Sequence, residues 1–226
     1  YKLNKSDIKS LVNYYESLIE LSNIYESIND KKEILELSIS KLKVSIKENP
    51  KNIDILILYA RSLNSLAIIE EKNQLELFNK GFEKIKMAYE INEKSLMIIQ
   101  NMGNEILKYI KFINKNNLEI NKKIIQKYFL WIEDIIDNYE EIQEERFINF
   151  IIDINGISYD LIINEEYTVS KKLLDLIIEF KELTFFPAAT LGLWYFRNKK
   201  IELSKSKEFG IKYYEEAIQI SESTDT

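Results

Sequence analysis

The sequence predicts an all-α protein, a right-handed superhelix of about five antiparallel helix pairs. Three observations carry that expectation. Apolar residues recur at steps of three and four through most of the chain, the period of a helix with one buried face. The 226 residues include only five Gly and two Pro, Pro50 and Pro187, too few punctuators for a many-stranded β protein. Small residues also recur at one separation: Ser38 and Ala60, Gly81 and Gly103, Ser170 and Gly192 each stand 22 positions apart. A small side chain lets two helices approach closely, so a constant spacing predicts one helix-to-helix junction built three times in a repeat architecture.

The elements follow in order. Ser6-Asp7 offers an N-cap for a first helix reaching about Ile28, with Leu11, Leu18, Leu21 and Tyr25 on one side. Asn29-Asp30 breaks it, and Lys32 to Lys47 carries Leu35, Ile39, Leu42 and Ile46 at helical spacing. Asn49-Pro50 is the clearest stop, because the residue before Pro is pushed away from helical backbone. Helices over Ile53–Ile69, Leu75–Ile91 and Lys94–Ile113 come next. Asn114 to Asn117 reads as a turn, followed by a helix to about Asn138. Segments Gln143–Ile163, Val169–Leu183, Pro187–Asn198 and Lys205–Ser221 complete the series, with Ser221 to Thr226 expected to fray. Pro187 suits a first helical turn, where no backbone donor is required. The reading is one domain over residues 1–226, with pairs at about 7–48, 53–92, 94–138, 143–183 and 187–222.

Composition narrows the chemistry. With no Cys, disulfides, thiolate metal sites and cysteine nucleophiles are excluded. With no His, the usual general base and the commonest transition-metal ligand are missing. No serine–histidine triad can be assembled, and no cofactor or metal is expected. The formal net charge of −6 disfavours a general affinity for nucleic-acid backbone. The longest apolar stretches, such as Ile55 to Ala60 and Phe147 to Ile152, fall far short of the ~20 residues of a membrane span. The chain opens on Tyr1 rather than Met, which leaves an upstream leader, lipid anchor or domain open. The compartment stays open with it: cytoplasmic, or periplasmic and lipid-anchored if a leader precedes Tyr1.

Gly210-Ile211-Lys212-Tyr213-Tyr214-Glu215-Glu216-Ala217-Ile218 resembles the second helix of a tetratricopeptide repeat, as does Gly81-Phe82-Glu83-Lys84-Ile85-Lys86-Met87-Ala88. First-helix counterparts are Leu56-Tyr59-Ala60-Leu63, Ile99-Met102-Gly103-Ile106 and Ala188-Leu191-Gly192-Tyr195. The resemblance departs from the family within each pair. Its small residues lie 16 apart (Ser22 to Ser38), 21 (Ala60 to Gly81), 14 (Gly156 to Ser170) and 18 (Gly192 to Gly210). Lengthened pairs and a final Leu-Gly-x-x-Tyr-Phe helix also resemble the accessory component of TRAP-type transporters, a periplasmic family that implies a small hydrophobic ligand.

The tetratricopeptide resemblance implies a non-enzymatic scaffold that holds a protein or peptide on a concave face. That face would be lined by Asn23, Asp54, Ile57, Arg61, Asn64, Met97, Gln100, Asn104 and Leu107. Amides and one guanidinium supply donors and acceptors for a peptide backbone or a carboxylate. Partner identity and self-association into a homo-oligomer stay open. Two other clusters invite a site. Glu133, Asp134, Asp137, Glu140, Glu141, Glu144 and Glu145 form an acidic run, but hard cations need convergent oxygens from a tight loop, and a solvated face is the plainer reading. Phe185, Phe186, Trp194, Tyr195 and Phe196 could line an apolar pocket; at helical spacing they read as core.

Overall fold

The computed structural model describes residues 8–116, 118–119 and 121–224, with Thr224 described by its backbone alone. The described residues are helical throughout, with no strand among them. The chain divides into two compact units, Tyr1–Ile120 and Asn121–Thr226. The division falls between the two helices of the third expected pair.

The first unit holds α1 (Ile8–Ile24), α2 (Ile28–Glu48), α3 (Ile53–Ile69), α4 (Gln74–Ile91) and α5 (Leu96–Lys115). Ser45 and Tyr15 share a 2.6 Å hydrogen bond between α2 and α1, and Lys32 meets Glu70 at 2.6 Å where α2 begins and α3 ends. Helices α1, α3 and α5 lie side by side, and α2 and α4 cover them from one side. Helix α3 is therefore central: 11 of its 17 residues are buried, more than one apolar stripe would require. The aromatic core of this unit is Phe78, Phe82, Tyr109 and Phe112, with ring centroids 5.2–6.4 Å apart.

The second unit holds α6 (Lys122–Ile136), a 3-10 turn over Tyr139–Glu141, α7 (Glu144–Ile163) and α8 (Tyr167–Ile177). A second 3-10 turn, Ile178–Phe180, leads towards α9 (Phe186–Arg197) and α10 (Leu203–Thr224). Here α7 and α9 are neighbours and α8 touches α6, while Lys181, just after the second 3-10 turn, pairs with Glu216 of α10 at 2.6 Å.

Several boundaries move for local reasons. The first helix stops at Ile24, and Asn29-Asp30 lies inside the first turn of α2. Ser27 caps α2 by accepting the Asp30 N–H, and an acid in the first turn favours the helix dipole. The last turn of the expected Val169–Leu183 helix tightens to 3-10 after Ile177. Helix α10 continues through Ser221 to Thr224. The proposed cap at Ser6-Asp7, and residues Asn117, Asp225 and Thr226, lie outside the described residues.

The small residues are buried, as close packing requires: Ser38, Ala60, Gly81, Gly103, Ser170, Gly192 and Gly210 are all in the interior. The crossings they serve differ from the expected ones. Ser38 faces the next pair, sharing a 3.1 Å hydrogen bond with Ser62 of α3. A Cβ at Gly81 would meet Asn64 of α3, its own pair partner. One at Gly192 would meet Tyr214 and the Gly210 carbonyl of α10, and one at Gly210 would strike the Phe196 ring of α9. In the fourth pair the small residue is Ser158, not Gly156. The Ser170 hydroxyl donates to the Ser158 carbonyl at 3.0 Å, whereas Gly156 faces open space. A spacing in sequence cannot say which of two neighbouring helices a small residue faces.

Candidate functional site

The residues expected to line a binding face lie on α1, α3 and α5, and burial sorts them into two groups. Asn23, Asp54, Met97 and Asn104 are exposed, while Arg61 and Gln100 are half-buried. Ile57, Asn64 and Leu107 are buried instead of lining the surface. The cause is the central position of α3. Helices α1 and α5 flank it on two sides, and Asn64 is buried against Glu105 of α5.

Two polar cross-links tie the layer together. Arg61 donates through Nη1 to Glu16 at 3.3 Å and through Nη2 to Glu20 at 3.1 Å. One guanidinium thus bridges two carboxylates a helical turn apart on α1. Both Nη atoms of the guanidinium are thereby engaged within the first unit. The Asn64 amide donates to Glu105 Oε2 at 3.0 Å, and Lys108 donates to Glu105 Oε1 at 2.7 Å. The Glu105 side chain is only 2% exposed, so these two donors take the place of water at its carboxylate oxygens. Sequence reading missed Glu105; the Glu105–Lys108 spacing of three on one helix face was its only signal.

What remains accessible is a mixed surface. Asn23 and Asn104 present amides, Gln100 a third, Asp54 a carboxylate, and Met97 a thioether side chain left 44% exposed. Amides both donate and accept, and a flexible thioether adapts to varied apolar groups. Such a surface can pair with the backbone of an extended chain. Nothing in it activates a nucleophile.

The remaining candidates are placed plainly. Two members of the aromatic cluster pack α9 against α10, a third reaches α8, and Phe185 and Phe186 contact each other with ring centroids 4.3 Å apart. Tyr195 stacks on Phe209 and Tyr213, Phe196 stacks on Tyr214, and Trp194 donates its indole N–H to the Tyr167 carbonyl at 2.8 Å. The acidic run is spread over α6, the Tyr139–Glu141 turn and the start of α7, and no metal-holding group of carboxylates forms among the described residues. No helix of the described residues is long and apolar enough to cross a membrane. In the second unit, burial raises the Tyr128 phenol far above its usual range, with the Asp153 carboxylate adding to the effect. Its hydroxyl has no hydrogen-bond partner among the described residues.

The described residues form an all-helical array, and in its first unit amides, one carboxylate and one thioether remain accessible. The family model that matches is that of the plant-specific mitochondrial import receptor subunit TOM20, over residues 1–103. The matched stretch lies within the first unit and takes in α1 to α4 and the start of α5. This corrects both sequence resemblances: the matching model is neither a tetratricopeptide-repeat family nor a TRAP accessory component. The physical reason is that small residues at crossings answer a packing need common to any array of helix pairs. They mark the architecture and leave the family open. No curated protein matches the chain.

Proposed function

We propose that the first unit is a non-enzymatic receptor surface for polypeptides, used in recognising proteins bound for mitochondrial import. The observation that carries this reading is the family match, because it coincides with the unit holding the amide-rich face. Asn23, Asp54, Met97, Gln100 and Asn104 contact the bound chain. Arg61 orients Glu16 and Glu20 at the edge of the site. The buried Ile57, Asn64 and Leu107 form the floor that keeps the outer side chains in register.

The test is fluorescence anisotropy of the full chain with labelled mitochondrial leader peptides and with scrambled peptides of identical composition. Binding should favour the leader sequences. Combined Met97→Ser and Asn104→Ala should weaken it on the order of tenfold, which corresponds to about 1.4 kcal/mol. Both residues sit on the surface, so the melting curve should hold. Equal titration by leader and scrambled peptides, or an unchanged affinity in a folded double variant, refutes the proposal.

A further inference from the structure

The second unit carries a feature that the family match does not reach. Two open depressions, of about 440 and 550 Å³, lie along the seam between α6 and α8 with its trailing 3-10 turn. On α6 the lining positions are Gln126, Phe129, Leu130, Glu133 and then Ile136 and Asp137. These steps of three and four trace a single helix face. On the other wall they run from Lys172 through Asp175, Leu176 and Glu179 to Leu183, with the same period. The two depressions are therefore two ends of one groove, with their centres roughly 12 Å apart along the helices.

The floor is apolar and the rim is anionic. Leu130 is 56% exposed and Tyr139 41%, large apolar surfaces left open at the two ends. Tyr139 is held edge-on against Phe180 at 5.4 Å. Glu133, Asp137, Glu179 and Glu182 are exposed, and none of the four is ion-paired among the described residues. Asp175 is neutralised by Lys171. The one basic lining residue, Lys172, stands over the Phe129 ring at 5.7 Å, at the end away from the 3-10 turn. The unpaired charge is thus negative and increases towards Glu182.

We propose that this groove binds an extended cationic peptide. The spacing selects the extended form: four strand residues span about 13 Å and place side chains i and i+4 on the same face. Two apolar side chains four apart enter the two depressions. Lysine and arginine beside them start on the opposite face of the strand, and their long flexible stems bend over the rim to Glu133, Asp137, Glu179 and Glu182.

The probe is a fluorescein-labelled decapeptide, Gly-Lys-Leu-Lys-Ser-Arg-Leu-Arg-Lys-Gly, titrated into the full chain by anisotropy. Three changes should each weaken binding at least tenfold. They are glutamine at all five basic positions of the peptide, serine at both leucines, and the protein variant Glu133→Gln/Glu179→Gln/Glu182→Gln. A control, Glu208→Gln/Glu215→Gln/Glu222→Gln, removes the same charge from exposed positions of α10 and should leave affinity within twofold. Leu130→Ser should also weaken binding. Three results overturn the proposal: no binding, equal loss in the control triple, or indifference to the leucines, the last two meaning general attraction to an acidic protein. A concentration-dependent dimer abolished by Leu130→Ser would overturn it too, by assigning the groove to a second copy. Circular dichroism of each variant confirms folding. The Met97→Ser/Asn104→Ala variant should bind this peptide normally, which separates failure here from failure of the receptor surface in the first unit.

Discussion

Gly81→Ala adds one methyl group to α4 at a point where α3 leaves no room. The new Cβ would stand 2.0 Å from the Asn64 Oδ1 and 2.7 Å from its Cγ, so the Asn64 side chain must move. That side chain is fully buried, and its amide holds the buried Glu105 carboxylate at 3.0 Å. Three effects contribute. Overpacking costs about 1–3 kcal/mol. Losing a hydrogen bond to a charged group costs about 1.5–3 kcal/mol. Replacing glycine in a helix interior returns about 1 kcal/mol. The net is a destabilisation of about 3 kcal/mol. The reasoning gives a sharper result in the Asn64→Ala background, where the obstacle is gone. Asn64→Ala alone should cost about 2 kcal/mol by leaving Glu105 with Lys108 as its remaining donor. Adding Gly81→Ala to it should then be stabilising by up to about 1 kcal/mol. Urea denaturation followed by circular dichroism is the assay, because both tryptophans, Trp131 and Trp194, belong to the second unit. Gly156→Ala, which meets nothing within 4 Å, is the matched control and should stabilise in either background. A Gly81→Ala penalty of equal size with and without Asn64 would refute the argument.

Two further outcomes follow from single side chains. Asn52 caps α3 by accepting the Ile55 N–H at 2.9 Å, so Asn52→Ala should lower stability by about 1 kcal/mol in the same urea assay, and no measurable loss would remove its role as a cap. Tyr128 is an acid whose folded pKa is raised, so the unfolded chain ionises first. Its contribution is intact below the ordinary tyrosine value of about 10 and is lost as pH rises above it. Tyr128→Phe should make the decline of stability above pH ~10 shallower, and by removing an unpartnered buried hydroxyl it should raise stability at pH 7 by about 1 kcal/mol. An unaltered alkaline slope would show that this phenol is not the group responsible.

The sequence by itself determined the helices. Periodicity, Asn-Pro and Asn-rich breaks, and the Ile53–Ile69 segment in particular, are local: each depends on residues within a turn or two of one another. The burial of the small residues was legible for the same reason, since a small residue among large apolar neighbours marks a close approach. Tertiary structure alone decided what each one approaches. Gly81 and Gly192 face their own pair partners, and Ser158 displaces Gly156 at the fourth crossing, because helix rotation is set by all contacting neighbours together. The binding face shows the same limit. Asn64 and Arg61 sit on one stripe of α3 and look alike in sequence, yet α5 buries the first against Glu105 while α1 engages the second through two glutamates. The groove of the second unit was the least legible part. Its two walls are more than thirty residues apart in sequence, and only the packing of α8 beside α6 brings their acidic and apolar positions together.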